Sequence, residues 1–126
     1  MFRSAHASAP RFTATQQVTS QEQLCARFKL AVDAANIESN DPNGQDARQD
    51  ALIRISFINA ALMLDTAAKD PALESEYRNA AQALADNFQR SATLVTKGLS
   101  SPEEYKASVE ELNNNEQTLK SLCDES

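Results

Sequence analysis

The sequence predicts an all-α protein, a four-helix bundle with up-down-up-down topology. Three observations lead to this fold class. The 126 residues contain only two glycines and four prolines, which favours helices over a sheet with tight turns. Apolar residues recur at helical spacing in four segments, and the breaks between these segments are short. Helices joined by short connections pack as antiparallel neighbours.

One domain is expected, because a chain of this length buries a single core. We divide it into a flexible linker or tail over residues 1–12 and a helical bundle domain over residues 13–126. The net charge is −6, and residues 100–126 contribute −5 of it, with seven acidic residues against two lysines. An acidic surface argues against nucleic acid and against an anionic membrane as partners.

The first helix has two candidate starts, because both Thr13 and Ser20 open a capping box. We favour the later one, since Thr15 and Val18 are weak helix formers. Its apolar stripe consists of Leu24, Phe28, Ala31, Val32 and Ala35. The helix is expected to end at about residues 37–40, and Asp41-Pro-Asn-Gly44 forms a turn.

The second helix, from about Asp46 to Lys69, contains the most apolar stretch of the chain. Within residues 51–64, apolar side chains point in almost every direction around the helix axis. Such a helix is normally buried, and with Arg54 inside 14 residues it is too short and too charged to span a bilayer. We therefore expect it to take the most covered position in the bundle. The alternative is that part of its apolar arc lines a cavity or an exposed groove.

Capping residues also delimit the third and fourth helices. Asp70 is the expected N-cap of helix three, with Pro71 as its first residue and Gly98 as its stop. Ser101 opens a capping box with Pro102 at the first position of helix four. The third stripe comprises Leu73, Tyr77, Ala80, Leu84, Phe88, Ser91 and Val95, and the fourth comprises Tyr105, Val109, Leu112, Glu116, Leu119 and Cys123.

Two features of the fourth helix stand out. The triplet Asn113-Asn114-Asn115 is poor helix material and predicts a kink. Glu116 is a carboxylate in an apolar stripe, so either it borders an arginine or it marks the kink. The candidate arginines are Arg27, Arg54 and Arg90.

The only two cysteines are predicted to meet in a disulfide. Cys25 lies early in helix one and Cys123 at the end of helix four, and these ends share a pole in an up-down-up-down bundle. A bridge would enclose 97 residues and place the protein in an oxidising compartment. The alternative is a cytoplasmic bundle with two buried free thiols.

Several segments in order resemble the exported part of small mycobacterial envelope proteins of unassigned function. They are Phe12-Thr-Ala-Thr-Gln-Gln, Cys25-Ala-Arg-Phe-Lys-Leu-Ala-Val, the Asp-Pro turn, the Ala-rich second helix, Asp70-Pro-Ala-Leu and Leu119-Lys-Ser-Leu-Cys123. The resemblance implies an envelope location, an N-terminal membrane anchor followed by a linker, and no catalytic residues. This chain departs from that pattern because it lacks the anchor and shows no signal-type apolar run.

Groups for catalysis are scarce. The only histidine, His6, lies in the tail, and the sequence has neither a zinc or di-iron ligand pattern nor a glycine-rich phosphate loop. Asp41–Leu52 departs from a calcium loop at its sixth and twelfth positions. We therefore expect no enzyme activity, no cofactor and no metal.

The sequence favours a non-catalytic, extracytoplasmic domain, in the envelope or secreted, that binds an envelope protein and contacts a membrane only through an anchor absent from this chain. The alternative is a carrier or sensor of an apolar, lipid-like molecule held between helices. The residues proposed for such an apolar groove are Ile53, Phe57, Leu64, Tyr77 and Phe88.

Overall fold

The computed structural model describes residues 11–39, 47–95 and 101–125, with side chains described for 11–36, 50–95 and 101–124. Within these residues the chain forms four helices and no strand: α1 Ala14–Ser39, α2 Ala47–Ala68, α3 Ser75–Leu94 and α4 Pro102–Glu125. The predicted all-α fold class is confirmed. Residues 1–10 of the tail with His6, the turn at Asp41–Gly44 and the stop at Gly98 lie outside the described residues.

Two helices begin with the capping box that the sequence contains. At α1, the Thr13 amide donates to Gln16 Oε1 over 2.8 Å, and the Gln16 amide donates to Thr13 Oγ1 over 3.0 Å. Ser101 and Glu104 make the same reciprocal pair at α4, over 2.9 and 3.1 Å. The later start that we favoured for the first helix is therefore wrong. Ser20 lies inside α1, because the Thr13 box satisfies the first amides and outweighs the weak propensities of the following residues.

The connection between α2 and α3 differs from its prediction. Asp70 is not the N-cap of α3, which begins at Ser75 with Glu74 in the N-cap position. Instead Asp70 organises a turn: its Oδ1 accepts from the Ala72 amide over 3.0 Å, and its carbonyl accepts from the Leu73 amide over 3.1 Å. Proline after aspartate suits the second position of such a turn as well as the start of a helix.

Arg78 fastens this turn to the first part of α3. Its guanidinium donates to three carbonyl oxygens, those of Ala68, Asp70 and Leu73, over 3.1, 3.2 and 2.6 Å. The first is a carbonyl at the end of α2 that the helix itself leaves unpaired. The side chain of Asp70 also accepts a 2.6 Å hydrogen bond from the Ser20 hydroxyl of α1. Three helices are thereby joined at one end of the bundle.

The helices pack in chain order around one core. α1 packs on α2, α2 on α3 and α3 on α4, whereas α1 and α4 contact each other least among these neighbours. Phe57 and Phe88 meet edge to face in the centre, with ring centroids 5.3 Å apart. The largest fully buried apolar side chains are those of Phe88, Leu24, Leu64, Leu84 and Leu119.

A disulfide joins the first and last helices. Cys25 and Cys123 are bonded, with their Cα atoms 5.7 Å apart. Close by, the Tyr77 hydroxyl donates to the Leu122 carbonyl over 3.0 Å. The predicted pairing is confirmed, as is the antiparallel order of helices from which it followed.

The interface between α3 and α4 contains buried polar groups. Asn87 Nδ2 donates to the Ser108 carbonyl over 3.3 Å, and Asn115 Nδ2 donates to Asn87 Oδ1 over 2.6 Å. The Ser91 and Ser108 hydroxyls are hydrogen-bonded to each other. α4 is continuous through its asparagine triplet, and Asn115 serves as a partner for α3.

Candidate functional surfaces

The outward side of α2 carries the most prominent exposed apolar surface among the described residues. Ile55, Ile58 and Leu62 are 64, 42 and 56% exposed. Their spacing of three and four places them in one stripe along the helix. Together with Arg54 and Asn59 they line a shallow groove of about 450 Å³. We call these five residues the α2 outer face.

This surface corrects our expectation that α2 would be covered all round. Each helix of a four-helix bundle packs against two neighbours and turns one side to solvent. α2 buries its inner side, including Ala60, Ala61 and Leu64, against α1 and α3. Its outer side remains apolar without a cover in this structure.

The charges near the α2 outer face are few and of both signs. Asp65 forms an exposed ion pair with Lys69 over 3.3 Å, and Arg54 makes no ion pair with another described residue. The strongly acidic α4 packs on α3, so it lies diagonally across the bundle from α2. The α2 outer face is thus set apart from most of the negative charge.

By length and composition alone, α2 resembles a membrane span. The 19 residues Asp50–Ala68 are long and apolar enough to cross a membrane, whereas our expectation considered only the 14 residues 51–64. A third of the segment is buried inside the bundle, and the core helix of a soluble protein has the same composition. The resemblance is therefore weak evidence for membrane insertion.

The second candidate surface is the seam between α1 and α4, which contains two clefts. The cleft of about 410 Å³ lies beside the disulfide and is lined by Cys25, Phe28, Val32, Glu116 and Cys123, among others. The cleft of about 320 Å³ lies farther along, and its lining includes Phe57, Phe88, Tyr105, Leu112 and Glu116. Both clefts exist because α1 and α4 pack together only slightly.

Glu116 borders both clefts and is half-buried there. Burial raises the pKa of its carboxyl above the usual 4.5, because the ionised form loses hydration. None of the arginines that we proposed as its partner forms an ion pair with it, and Arg90 instead pairs with Glu111. Burial, and secondarily the negative charge of Asp50, also raises the pKa of Tyr105 above 10.0.

The five residues proposed for an apolar groove all lie in the hydrophobic core. Ile53, Phe57, Leu64, Tyr77 and Phe88 are at most 8% exposed. Phe57 and Phe88 also reach the bottom of the smaller seam cleft. The structure therefore does not unite the five along an accessible groove.

The sequence left open an exposed groove on α2, but the residues proposed for it did not include the three exposed ones. Their signal was present, since Ile55, Ile58 and Leu62 complete the apolar ring of α2. A ring of this kind has the same pattern whether its outer side meets another helix of the domain, a partner or solvent. Only the placement of the neighbouring helices separates these cases.

No cluster of three or more metal-ligating side chains occurs in the part of the chain that the structure describes. Comparison with known proteins adds no relative: no protein-family model matches this chain, and no significant match was found among curated proteins or solved structures.

Proposed function

We propose that this chain is a non-catalytic helical domain of an extracytoplasmic compartment, which acts by binding another protein through the α2 outer face. The observation that carries the proposal is the exposure of three large aliphatic side chains in one stripe. Single exposed apolar residues are normal on a protein surface, but contiguous ones mark interaction sites.

The rest of the surface supports this assignment. The other exposed large aliphatic residues in the described part of the chain are Val18 and Leu30. They stand twelve positions apart on α1 and do not share a stripe. Among the described residues, the α2 outer face is therefore the one place where large exposed aliphatic residues follow each other along a helix.

The disulfide supports the compartment. Disulfides persist in oxidising environments and are rare in the cytosol of mesophiles. The Cys25–Cys123 bond also links α1 and α4 covalently, and these two helices contact each other less than the other neighbouring pairs do. An extracytoplasmic location, in a cell envelope or outside the cell, follows as part of the proposal.

A photo-crosslinking residue tests the proposed surface. When this residue replaces Ile58 and the protein is expressed in its own cells, we expect illumination to crosslink it to another protein. We expect no such crosslink when the residue replaces the exposed Gln89 of α3. Adding Leu62→Glu should abolish the capture, because a charge cannot be buried unpaired in an apolar contact. The matched control is Gln82→Glu, which adds the same charge on α3.

The proposal would be overturned if capture from Ile58 and from Gln89 were equal, or if Leu62→Glu left the capture unchanged. Both replaced side chains are largely exposed, so the variants should keep the helical circular dichroism and the melting temperature of the parent protein.

A second candidate function is the binding of an apolar small molecule in the α1–α4 seam. It is favoured by the two clefts, whose sizes of about 410 and 320 Å³ lie in the lower range of ligand pockets. Three aromatic residues line the smaller cleft, and Glu116 contributes a carboxyl group to both clefts.

Native mass spectrometry of the protein from its own cells tests this second function. A small molecule retained by the parent protein should be lost in Val109→Trp, because the indole ring fills the smaller cleft that Val109 lines. Leu30→Trp adds the same ring at an exposed site outside both clefts and should retain the ligand. A protein that is empty in its native state, and that takes up no fluorescent fatty-acid analogue, would rule out this function.

A further inference from the structure

We infer that a second copy of this chain covers the α2 outer face, with the two α2 helices packed antiparallel about a two-fold axis near Asn59. The inference rests on the proposed function and specifies the protein that is bound. A two-fold contact requires a surface that is complementary to itself. The α2 outer face meets this requirement in its apolar residues, and the charges of Arg54 and the nearby Asp65 meet it as well.

The apolar stripe is symmetric about its own middle. Ile55 and Leu62 lie at its two ends, and the midpoint between them falls between Ile58 and Asn59. In an antiparallel pair centred there, Ile55 of each copy packs against Leu62 of the other. Ile58 then lies beside its own symmetry mate, so all three exposed aliphatic residues become buried together.

The charges have almost the same centre. At 100° per residue, Arg54 and Asp65 project from the same edge of the stripe. Their midpoint falls between Asn59 and Ala60, one residue from the centre of the stripe, which is about 1.5 Å along the helix. A single two-fold axis therefore serves both the apolar and the charged pairs.

The relative direction of the helices follows from these edges. In an antiparallel two-fold pair, like edges face each other, so Arg54 of one copy lies opposite Asp65 of the other, twice per dimer. In a parallel pair, the edge with Arg54 would face the opposite edge, where Asn59 and Thr66 carry no charge. Charge complementarity thus selects the antiparallel arrangement.

The other edge is compatible with the same axis. Asn59 is exposed close to the centre, and its Nδ2 approaches the Met63 sulfur at 3.7 Å. An amide carries both donors and an acceptor, so two Asn59 side chains related by the axis can hydrogen-bond to each other. The ion pair of Asp65 with Lys69 is exposed and costs little to rearrange.

The contact is small, which is typical of weak or transient complexes. One helix pair touching along about three turns buries less than a standard interface of roughly 1,600 Å². We therefore expect a reversible dimer with a dissociation constant of roughly 10⁻⁵ M rather than a permanent one. The acidic α4 helices stay on the far side of each copy, so the charge of −6 per chain opposes association only weakly.

Analytical ultracentrifugation of the full chain, from micromolar to several hundred micromolar, tests the dimer. The average mass should rise from one chain to two, and Ile58→Glu should remain monomeric throughout. Arg54→Asp should raise the dissociation constant about tenfold, and the swap Arg54→Asp with Asp65→Arg should restore it. The control Gln82→Glu, which adds a charge on α3, should dimerise like the parent protein.

A cysteine at the axis tests the arrangement. Ile58→Cys should form a disulfide-linked dimer readily under oxidation, whereas Gln82→Cys should not.

A parent chain that is monomeric at every concentration would overturn the inference, and so would a charge swap that fails to restore dimerisation. If the chain is monomeric but Ile58 still captures a different protein in cells, only the identity of the partner is wrong. If it binds phosphatidylcholine vesicles through Ile58 and stays monomeric, the face belongs to a membrane, and both proposals fail.

Discussion

Asn115 Nδ2 donates a 2.6 Å hydrogen bond to the Oδ1 of Asn87, whose side chain is almost completely buried between α3 and α4. Asn87 in turn donates to the Ser108 carbonyl over 3.3 Å. Both ends of the Asn87 amide are thus paired inside the bundle. A buried amide that loses such partners pays for its desolvation without compensation.

Asn87→Ala should therefore destabilise the protein by about 2–3 kcal/mol, because it leaves a cavity and removes the partners of two polar groups. Asn115→Ala should cost about 1–2 kcal/mol, since it leaves Asn87 Oδ1 unpaired. Urea denaturation followed by circular dichroism measures both. The double variant should cost less than the sum of the two, and strict additivity would show that the two amides do not interact.

The disulfide should supply a large part of the stability. A bridge that encloses about 100 residues contributes roughly 4–5 kcal/mol in the chain-entropy model. We expect the variant with both Cys25→Ser and Cys123→Ser to lose about 3–5 kcal/mol in urea denaturation. A reductant should destabilise the parent protein by a similar amount and leave the double variant unchanged.

In the same double variant, the loss of stability should differ between the helices. α1 and α4 contact each other least, so loss of the covalent link should weaken α1 more than α3. Hydrogen exchange at residues 14–36 is expected to accelerate more than exchange at residues 77–92. Equal acceleration of both segments would indicate that the bundle opens as a single unit and that the seam is not its weak line.

The sequence was sufficient to predict the helices, their order and the cysteine pair. The apolar spacings and the Ser101 box were local patterns, and the cysteine pair followed from the predicted order of the helices. The start of α1 was predicted wrongly, because we favoured Ser20 over the Thr13 box. The seam and the α2 outer face were beyond such patterns. They depend on how closely each pair of helices packs, which the apolar periodicity of one helix does not specify.

Asp70 shows the same limit at smaller scale. An aspartate followed by proline is favourable both at a helix start and in a turn. The choice between them depends on partners distant in the chain, because the Ser20 hydroxyl and the Arg78 guanidinium both bind this segment. Neither partner is visible from the sequence near Asp70.

Asp70→Ala should destabilise the protein by about 1–2 kcal/mol at neutral pH, because two hydrogen bonds to its carboxylate are lost. The Ser20 hydroxyl first, and then the Ala72 amide, hold the pKa of Asp70 below the usual 3.8. A lowered pKa means that the ionised carboxylate stabilises the fold above the unfolded pKa. This contribution declines as the pH falls through the folded pKa.

The deficit of Asp70→Ala relative to the parent protein should therefore be constant from pH 5 to 7 and shrink below about pH 4. Urea denaturation across this range measures it. Ser20→Ala, which removes the largest contribution to the lowered pKa, should give a smaller deficit with the same pH trend. A deficit that grows on acidification would contradict the assignment.

Glu116 should show the opposite dependence. Its pKa is raised by burial in the seam, so the folded protein disfavours the ionised form and loses stability as the pH rises through the unfolded and then the folded pKa. Glu116→Gln should therefore stabilise the protein at pH 7, by a few tenths to about 1 kcal/mol, because the half-exposed carboxylate keeps part of its hydration. The advantage should vanish below about pH 4, where both forms are neutral.

Glu110→Gln is the matched control, since Glu110 lies on the same helix and is exposed. It removes the same charge from the acidic α4, and so reports the relief of general repulsion without the effect of burial. The difference between the two variants, measured by urea denaturation at pH 4 and pH 7, isolates the contribution of the seam. If the two gains in stability were equal at pH 7, the stabilisation would come from the change in net charge alone. Burial of Glu116 in the seam would then make no contribution.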